Sequence, residues 1–112
     1  MPDFVLRSYV DEQGRAPFEA WVVDLDSQAQ AKVTIALSRL QRGNLSNVEA
    51  IGEGVSELKL NWGPGYRVYF GQDGRTIVIL LCGGTKKRQS RDIATAKARW
   101  ADYRARKSAQ AR

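Results

Sequence analysis

Between Gly54 and Arg91 the chain alternates between strand-like runs and glycine-rich breaks, a pattern that few folds accommodate. The first run puts Leu58 and Leu60 on one face and Glu57, Lys59 and Asn61 on the other, the two-residue period of a half-buried strand. The second sets Tyr66, Val68 and Phe70 against Arg67 and Tyr69. Between them, Trp62-Gly63-Pro64-Gly65 predicts a hairpin centred near Gly63, with Lys59 opposite Arg67 and Leu58 opposite Val68. Like charges directly opposite on paired strands repel. The pairing therefore calls for a counter-charge, which a bound anion such as phosphate would supply; the alternative is that both are ordinary solvated edge charges. The turn Gln72-Asp73-Gly74-Arg75 leads into Thr76 to Cys82, an apolar run suited to a central strand covered on both faces. A curved sheet with one exposed basic face follows, and Arg67 is expected to point outward from it, removable without harm to the fold.

The flanking segments supply the covering layers. Phe4 to Val10 reads as a first strand, closed by the polar turn Asp11 to Arg15. Pro17 suits a first helical position, and Phe18, Trp21, Val22 and Leu25 recur at helical spacing behind it. Asp26 or Ser27 can cap a second helix with a buried stripe of Ala29, Val33, Ala36, Leu37 and Leu40, and Gly43 can end it. The two helices are expected to form a hairpin on one face of the sheet. Asn44 to Gly54 reads as a connecting segment, its Gly52-Glu53-Gly54 lacking the preceding strand and third glycine of a nucleotide fingerprint. Gly83-Gly84-Thr85-Lys86-Lys87 lacks the spacing of a phosphate loop and reads as a flexible turn carrying cations. Ser90 can cap a last helix, with Asp92 near its positive end, a core side of Ile93, Ala96, Trp100 and Tyr103, and basic residues elsewhere. The predicted order is strand, helix, helix, three strands, helix: an α+β domain of residues 1–112 with a sheet of about four strands.

Composition narrows the chemistry. A chain of 112 residues builds one packed core, and its formal charge of +6 attracts polyanions. There is no histidine, so the commonest metal ligand and the usual near-neutral base are missing, and no carboxylate cluster replaces them. No metal and no cofactor are expected. The single cysteine, Cys82, lies in the most apolar run and reads as a buried structural thiol. Neither an export signal nor the ~20 apolar residues of a membrane helix is present, so a cytoplasmic location without membrane contact is the expectation.

Three segments carry a family resemblance: Gly54 to Leu60 (GVSELKL), Gly63 to Phe70 (GPGYRVYF), and Leu81 to Lys87 (LCGGTKK) followed by Gln89 to Ala94 (QSRDIA). In combination they resemble the RelE/ParE superfamily of small bacterial toxins, in particular the addiction-module killer, HigB-like branch, over nearly the whole chain. The resemblance implies a RelE-like fold. It also implies the toxin of a type II toxin-antitoxin system, an endoribonuclease that cuts messenger RNA on the ribosome and is neutralised by an antitoxin. In that family an arginine after a tyrosine on the middle strand contacts the scissile phosphate, a match to Arg67 after Tyr66. A lysine on the preceding strand corresponds to Lys59, and a basic residue after the glycine turn falls on Lys86 or Lys87. The implied partner is a helix-turn-helix antitoxin, through which alone operator DNA would be contacted.

The chemistry asked of such a site is clear without the resemblance. RNA carries its own nucleophile, the 2′-hydroxyl, so the protein must align it, take its proton, stabilise the charged phosphorane and protonate the leaving oxygen. Arg67 suits a phosphate clamp because its planar fork stays charged. Lys59 beside it is a candidate base, since a neighbouring cation disfavours the ammonium form, and Lys86 a candidate charge stabiliser or acid. Tyr66, Lys87, Arg88 and Arg91 are the candidate RNA contacts. Where the family's ribonucleases place a tyrosine or histidine for proton transfer, this chain reads Gln89 to Ile93, which leaves Asp92 as the candidate. ParE-type relatives share the fold and poison DNA gyrase without being enzymes; that reading, and a basic RNA-binding module without catalysis, stand as alternatives.

Overall fold

Two glycines placed side by side in the longest strand, Gly83 and Gly84, explain how three layers stack here. A computed structural model describes residues 3–111. Its strands are β1 (Val5–Ser8), β2 (Val48–Gly52), β3 (Val55–Lys59), β4 (Tyr66–Asp73) and β5 (Ile77–Thr85). Its helices are α1 (Pro17–Asp24), α2 (Ser27–Gln41) and α3 (Gln89–Gln110), with a single 3₁₀ turn at Lys86–Arg88. The sheet order is β1-β5-β4-β3-β2, with β1 parallel to β5 and every other pair antiparallel.

The α+β class and the terminal helix agree with the sequence, whereas the strand count does not: the sheet has five strands. The extra one is β2, inside the segment expected to be a connection. Its residues are half-buried or exposed and a register shift between Ala50 and Gly52 breaks its alternation, so it lacks the two-residue period by which strands are recognised, and it is held as an edge by its ladder to β3. The Gly52-Glu53-Gly54 turn joining them has Gly52, Glu53 and Gly54 all at positive φ, which accounts for the flanking glycines.

Local chemistry fixes the helices much as expected. Pro17 opens α1, the Asp26 carboxylate accepts from the Ala29 N–H at 2.8 Å to cap α2, and Gly43 at φ +88° follows the end of α2. Helix α3 departs from expectation: it starts at Gln89 rather than behind a Ser90 cap, and no side chain caps it. The preceding 3₁₀ turn takes up the chain where a loop was expected.

Helices α1 and α2 cover one face of the sheet, meeting Leu58, Leu60, Val68, Phe70 and Val78 with Phe18, Val33 and Leu40. Helix α3 covers the other, where Ala96 and Trp100 join Tyr9, Val55, Tyr69, Ile79, Leu81 and Cys82. The strict alternation of β5 is interrupted once. Phe70 pairs with Leu80 and Tyr69 with Cys82, leaving Leu81 as an extra residue, a bulge that rephases the strand beyond it. Gly83 therefore faces α1, where a Cβ would strike the Trp21 ring, and Gly84 faces α3, where a Cβ would lie 1.8 Å from Asp92 Oδ2. The Gly-Gly pair is thus a strand thinned on both faces, and the flexible turn expected there is replaced by extended chain as far as Thr85.

Beyond Leu80 one edge of β5 is open. β1 ends at Ser8 opposite Leu80, so residues 82–85 meet β4 on one side and, among the described residues, no strand on the other. Among the described residues no helix is long and apolar enough to cross a membrane.

Candidate active site

The predicted hairpin register holds: Lys59 pairs with Arg67 and Leu58 with Val68. Alternation then sends Glu57, Lys59, Arg67 and Tyr69 to the α3 face of the sheet. The counter-charge that the Lys59–Arg67 pairing required is supplied within the chain. Glu57, 1% exposed, stands 3.9 Å from Arg67 Nε and 4.0 Å from Lys59 Nζ, while its second oxygen accepts from the Gln89 amide at 2.7 Å. Lys59 also pairs with Glu49 of the edge strand at 2.9 Å.

The basic face is consequently not an open patch. Arg67 is only 8% exposed, and its guanidinium donates to the carbonyls of Gly65 and Tyr66 at 3.1 and 3.3 Å. The expectation of an outward arginine, dispensable to the fold, is corrected: the first turn of α3 lies over this end of the sheet and turns the polar face inward. Arg67 Nε, the Tyr69 hydroxyl and Asp92 Oδ2 are buried without a hydrogen-bond partner, and all three lie on this face. Tyr69 is directly opposite Glu57, and burial first, then the Glu57 charge, pushes its phenol upward.

Lys86 reaches the same place from β5. Its backbone N–H bonds the Gly65 carbonyl at 2.9 Å, and a Cβ on Gly65 would lie 3.2 Å from Lys86 Cβ and 3.4 Å from Arg67 Nη1. Gly65, at φ +76°, is thus the point at which Arg67 and Lys86 converge, with Lys59 across the ladder. Lys87, Arg88 and Arg91 are exposed along the 3₁₀ turn and the start of α3. Tyr66 is on the other side of the sheet, stacked on Trp62 at 6.0 Å and edge-on to Trp21, so it is not brought together with Arg67.

Asp92 occupies the first turn of α3 as expected, is 8% exposed, and sits over Gly84, the cross-strand neighbour of Arg67. Burial raises its pKa, against the pull of Arg88, Arg91 and Arg99. Cys82 is a buried thiol, as expected, and burial pushes it up to about 11.

Glu57 and Gln89 are the functional candidates that the sequence did not single out. The signal for Glu57 was present, a carboxylate two residues before Lys59 on the same strand face. Its burial depends on a helix that closes over it from 32 positions away. Chemically the cluster pairs a fixed carboxylate with cations of graded exposure, a set able to bind a phosphodiester and move a proton beside it.

The model of the family described as phage derived protein Gp49-like (DUF891) matches residues 20–101, which contain every residue of this cluster. A protein of uncharacterised function from Haemophilus influenzae strain Rd is 41% identical over 81 residues, covering 71% of this chain and 82% of that protein. The chain belongs to the phage-derived Gp49-like family, a family of proteins associated with toxin-antitoxin systems.

Proposed function

We propose that this protein is the toxin of a toxin-antitoxin pair and acts as a ribosome-dependent messenger RNA endonuclease of the RelE/HigB kind. The observation that carries the proposal is that Lys59 and Arg67 converge on the buried carboxylate of Glu57 while Lys86 meets Arg67 at Gly65, at one end of the sheet.

A phosphodiester arriving at Gly65 meets Lys86 first, because that side chain is exposed, and takes Arg67 as its second partner in exchange for Glu57. A carboxylate released from a cation takes up a proton more readily. Glu57 then accepts the proton of the substrate 2′-hydroxyl while that oxygen bonds to phosphorus. The P–O5′ bond breaks, Lys86 protonates the leaving 5′-oxygen, and a 2′,3′-cyclic phosphate and a 5′-hydroxyl remain. Arg67, with Lys59 beside it, holds the equatorial oxygens through the charged transition state. Placing the 2′-hydroxyl in line is left to the ribosome-bound message, an orientation effect large enough for a site without histidine.

The test is a defined translation reaction in which new messenger ends are mapped with and without ribosomes, for the native chain, Lys86→Ala and Glu57→Gln. Cuts confined to translated codons, carrying cyclic phosphate ends and reduced about 100-fold by Lys86→Ala, are the expected result. Intact message from a chain that still arrests growth overturns the proposal. Blocked DNA supercoiling would then assign gyrase as the target, and ribosome association without cleavage would make the chain a binding module.

A further inference from the structure

A cavity of about 350 Å³ opens along β5 at residues 82–85, apart from the Lys59–Arg67–Lys86 cluster. Its floor is the strand edge that β1 leaves free, the last link between the two being the Tyr9 N–H to the Leu80 carbonyl at 2.9 Å. One wall is Pro17 and Trp21 of α1; the other is Arg88, Arg91 and Arg99 from the 3₁₀ turn and α3. The slot therefore lies between the two helical layers, in the plane of the sheet.

The phase of the ladder decides what this edge offers. The Lys86 N–H bonds the Gly65 carbonyl at 2.9 Å, just beyond the Tyr66–Thr85 pair, so Cys82, Gly84 and Lys86 turn their backbone groups toward β4. Gly83 and Thr85 consequently turn theirs into the cavity. Their burial agrees: both are half-buried, whereas Cys82 and Gly84 are buried. The Gly83 carbonyl accepts from the Cys82 thiol at 3.7 Å, far longer than a ladder bond. Arg99 donates to the Leu81 carbonyl at 2.9 Å and so closes the slot where β1 stops. Asp92, which also borders the cavity, is turned in against Gly84. Arg88 and Arg91 are exposed and, among the described residues, form no ion pair.

We propose that an acidic, extended segment of a partner protein docks here as an added strand beside residues 82–85. A peptide strand supplies donors and acceptors in the alternation that the backbone groups of Gly83 and Thr85 require, whereas a phosphate backbone supplies acceptors alone. The side chains of the added strand alternate as those of β5 do. Those level with Gly83 and Thr85 lie on the α1 side, against Pro17 and Trp21; those level with Cys82 and Gly84 lie on the α3 side, among the arginines. Apolar residues suit the first set. Carboxylates suit the second, because Arg88, Arg91 and Arg99 outnumber Asp92 on that side. Recognition of this kind draws affinity from main-chain bonds and specificity from alternate side chains. It holds whether or not the chain cuts RNA.

The experiment follows amide hydrogen exchange of the full chain by NMR on adding a blocked heptapeptide of alternating glutamate and valine. At a free peptide concentration about ten times its Kd, exchange at Gly83 and Thr85 should slow about tenfold, while the amides of Cys82 and Gly84, already bonded within the sheet, stay unchanged. Replacing the glutamates by lysines should weaken binding at least about tenfold, and Arg88→Ala combined with Arg91→Ala should weaken the glutamate peptide to a similar degree. Two further peptides carry N-methyl groups on the valines alone or on the glutamates alone. One should lose binding and the other keep it, since a strand presents every second N–H to its neighbour. Loss with methylated valines identifies an antiparallel strand, and loss with methylated glutamates a parallel one. These changes lie in the probe, so the result does not depend on a variant that folds. Absence of protection at millimolar peptide, equal affinity of the two methylated peptides, or no preference for glutamate over lysine overturns the proposal. Protection that appears with rising protein concentration alone assigns the edge to a second copy of the chain, and protection by hexauridylate but not by peptide assigns it to RNA; both overturn it. No cleavage of message is read, so failure here leaves the ribonuclease reading untouched, and failure of that reading leaves this one.

Discussion

Glu57 and Arg67 must be treated as a unit when either is changed. Removing the guanidinium leaves a carboxylate at 1% exposure facing Lys59 and Gln89 alone, so Arg67→Ala should cost about 3 kcal/mol. Urea unfolding would register this as a lower midpoint, and an unchanged midpoint would mean that the pair contributes nothing. The double change Glu57→Gln with Arg67→Ala should restore part of the loss, because no unpaired charge then remains. Toxicity lost on Arg67→Ala alone therefore does not identify a catalytic role. Lys86, exposed and bound through its backbone, is the residue at which a change tests the proposed function without disturbing the fold.

Among the elements, α3 has two differently fastened halves. Its C-terminal half is tied to the sheet by carboxylates: Asp73 accepts from Lys107 and Tyr103, and Asp102 from Tyr9 and Arg106. Hydrogen bonds from Lys107, then Tyr103, hold Asp73 below its usual 3.8, so the stability it gives is present above that pH and lost as acid titrates the folded form. Asp92 has the opposite sign: its raised pKa favours the fold in acid and subtracts as pH climbs through the carboxylate range. Asp73→Asn should thus lower stability at neutral pH and flatten the acid limb of an ellipticity titration; an unchanged acid limb would refute the tie. These elements also mark the limit of the sequence. Alternation fixed the β3–β4 register and the helical stripes, because periodic burial is a local property. β2 escaped because a register shift breaks its short alternation, and the Gly83-Gly84 strand passed for a turn because its glycines answer Trp21 and Asp92, contacts made only after folding. The cations of the site were legible as charges, but the burial of Arg67 was not, since it depends on α3 returning over β3 and β4.

For the whole molecule, the formal charge of +6 is concentrated where the 3₁₀ turn meets α3. Association with a ribosome-bound message should therefore weaken at least about tenfold between about 50 and about 200 mM salt, by release of counterions from RNA; a salt-independent affinity would exclude phosphate contacts as its source. An antitoxin, the partner that the family association implies, would need acidic side chains to cover this end. The same distribution bears on how copies of the chain treat one another. An unzipped strand edge is a template for edge-to-edge growth into larger sheets. Past Leu80 that template is fringed by Arg88, Arg91 and Arg99, so two copies approaching through it bring guanidinium against guanidinium. The arginines thus act as a fender against aggregation, and shortening them would expose the chain to its own copies as well as loosen its hold on an anion.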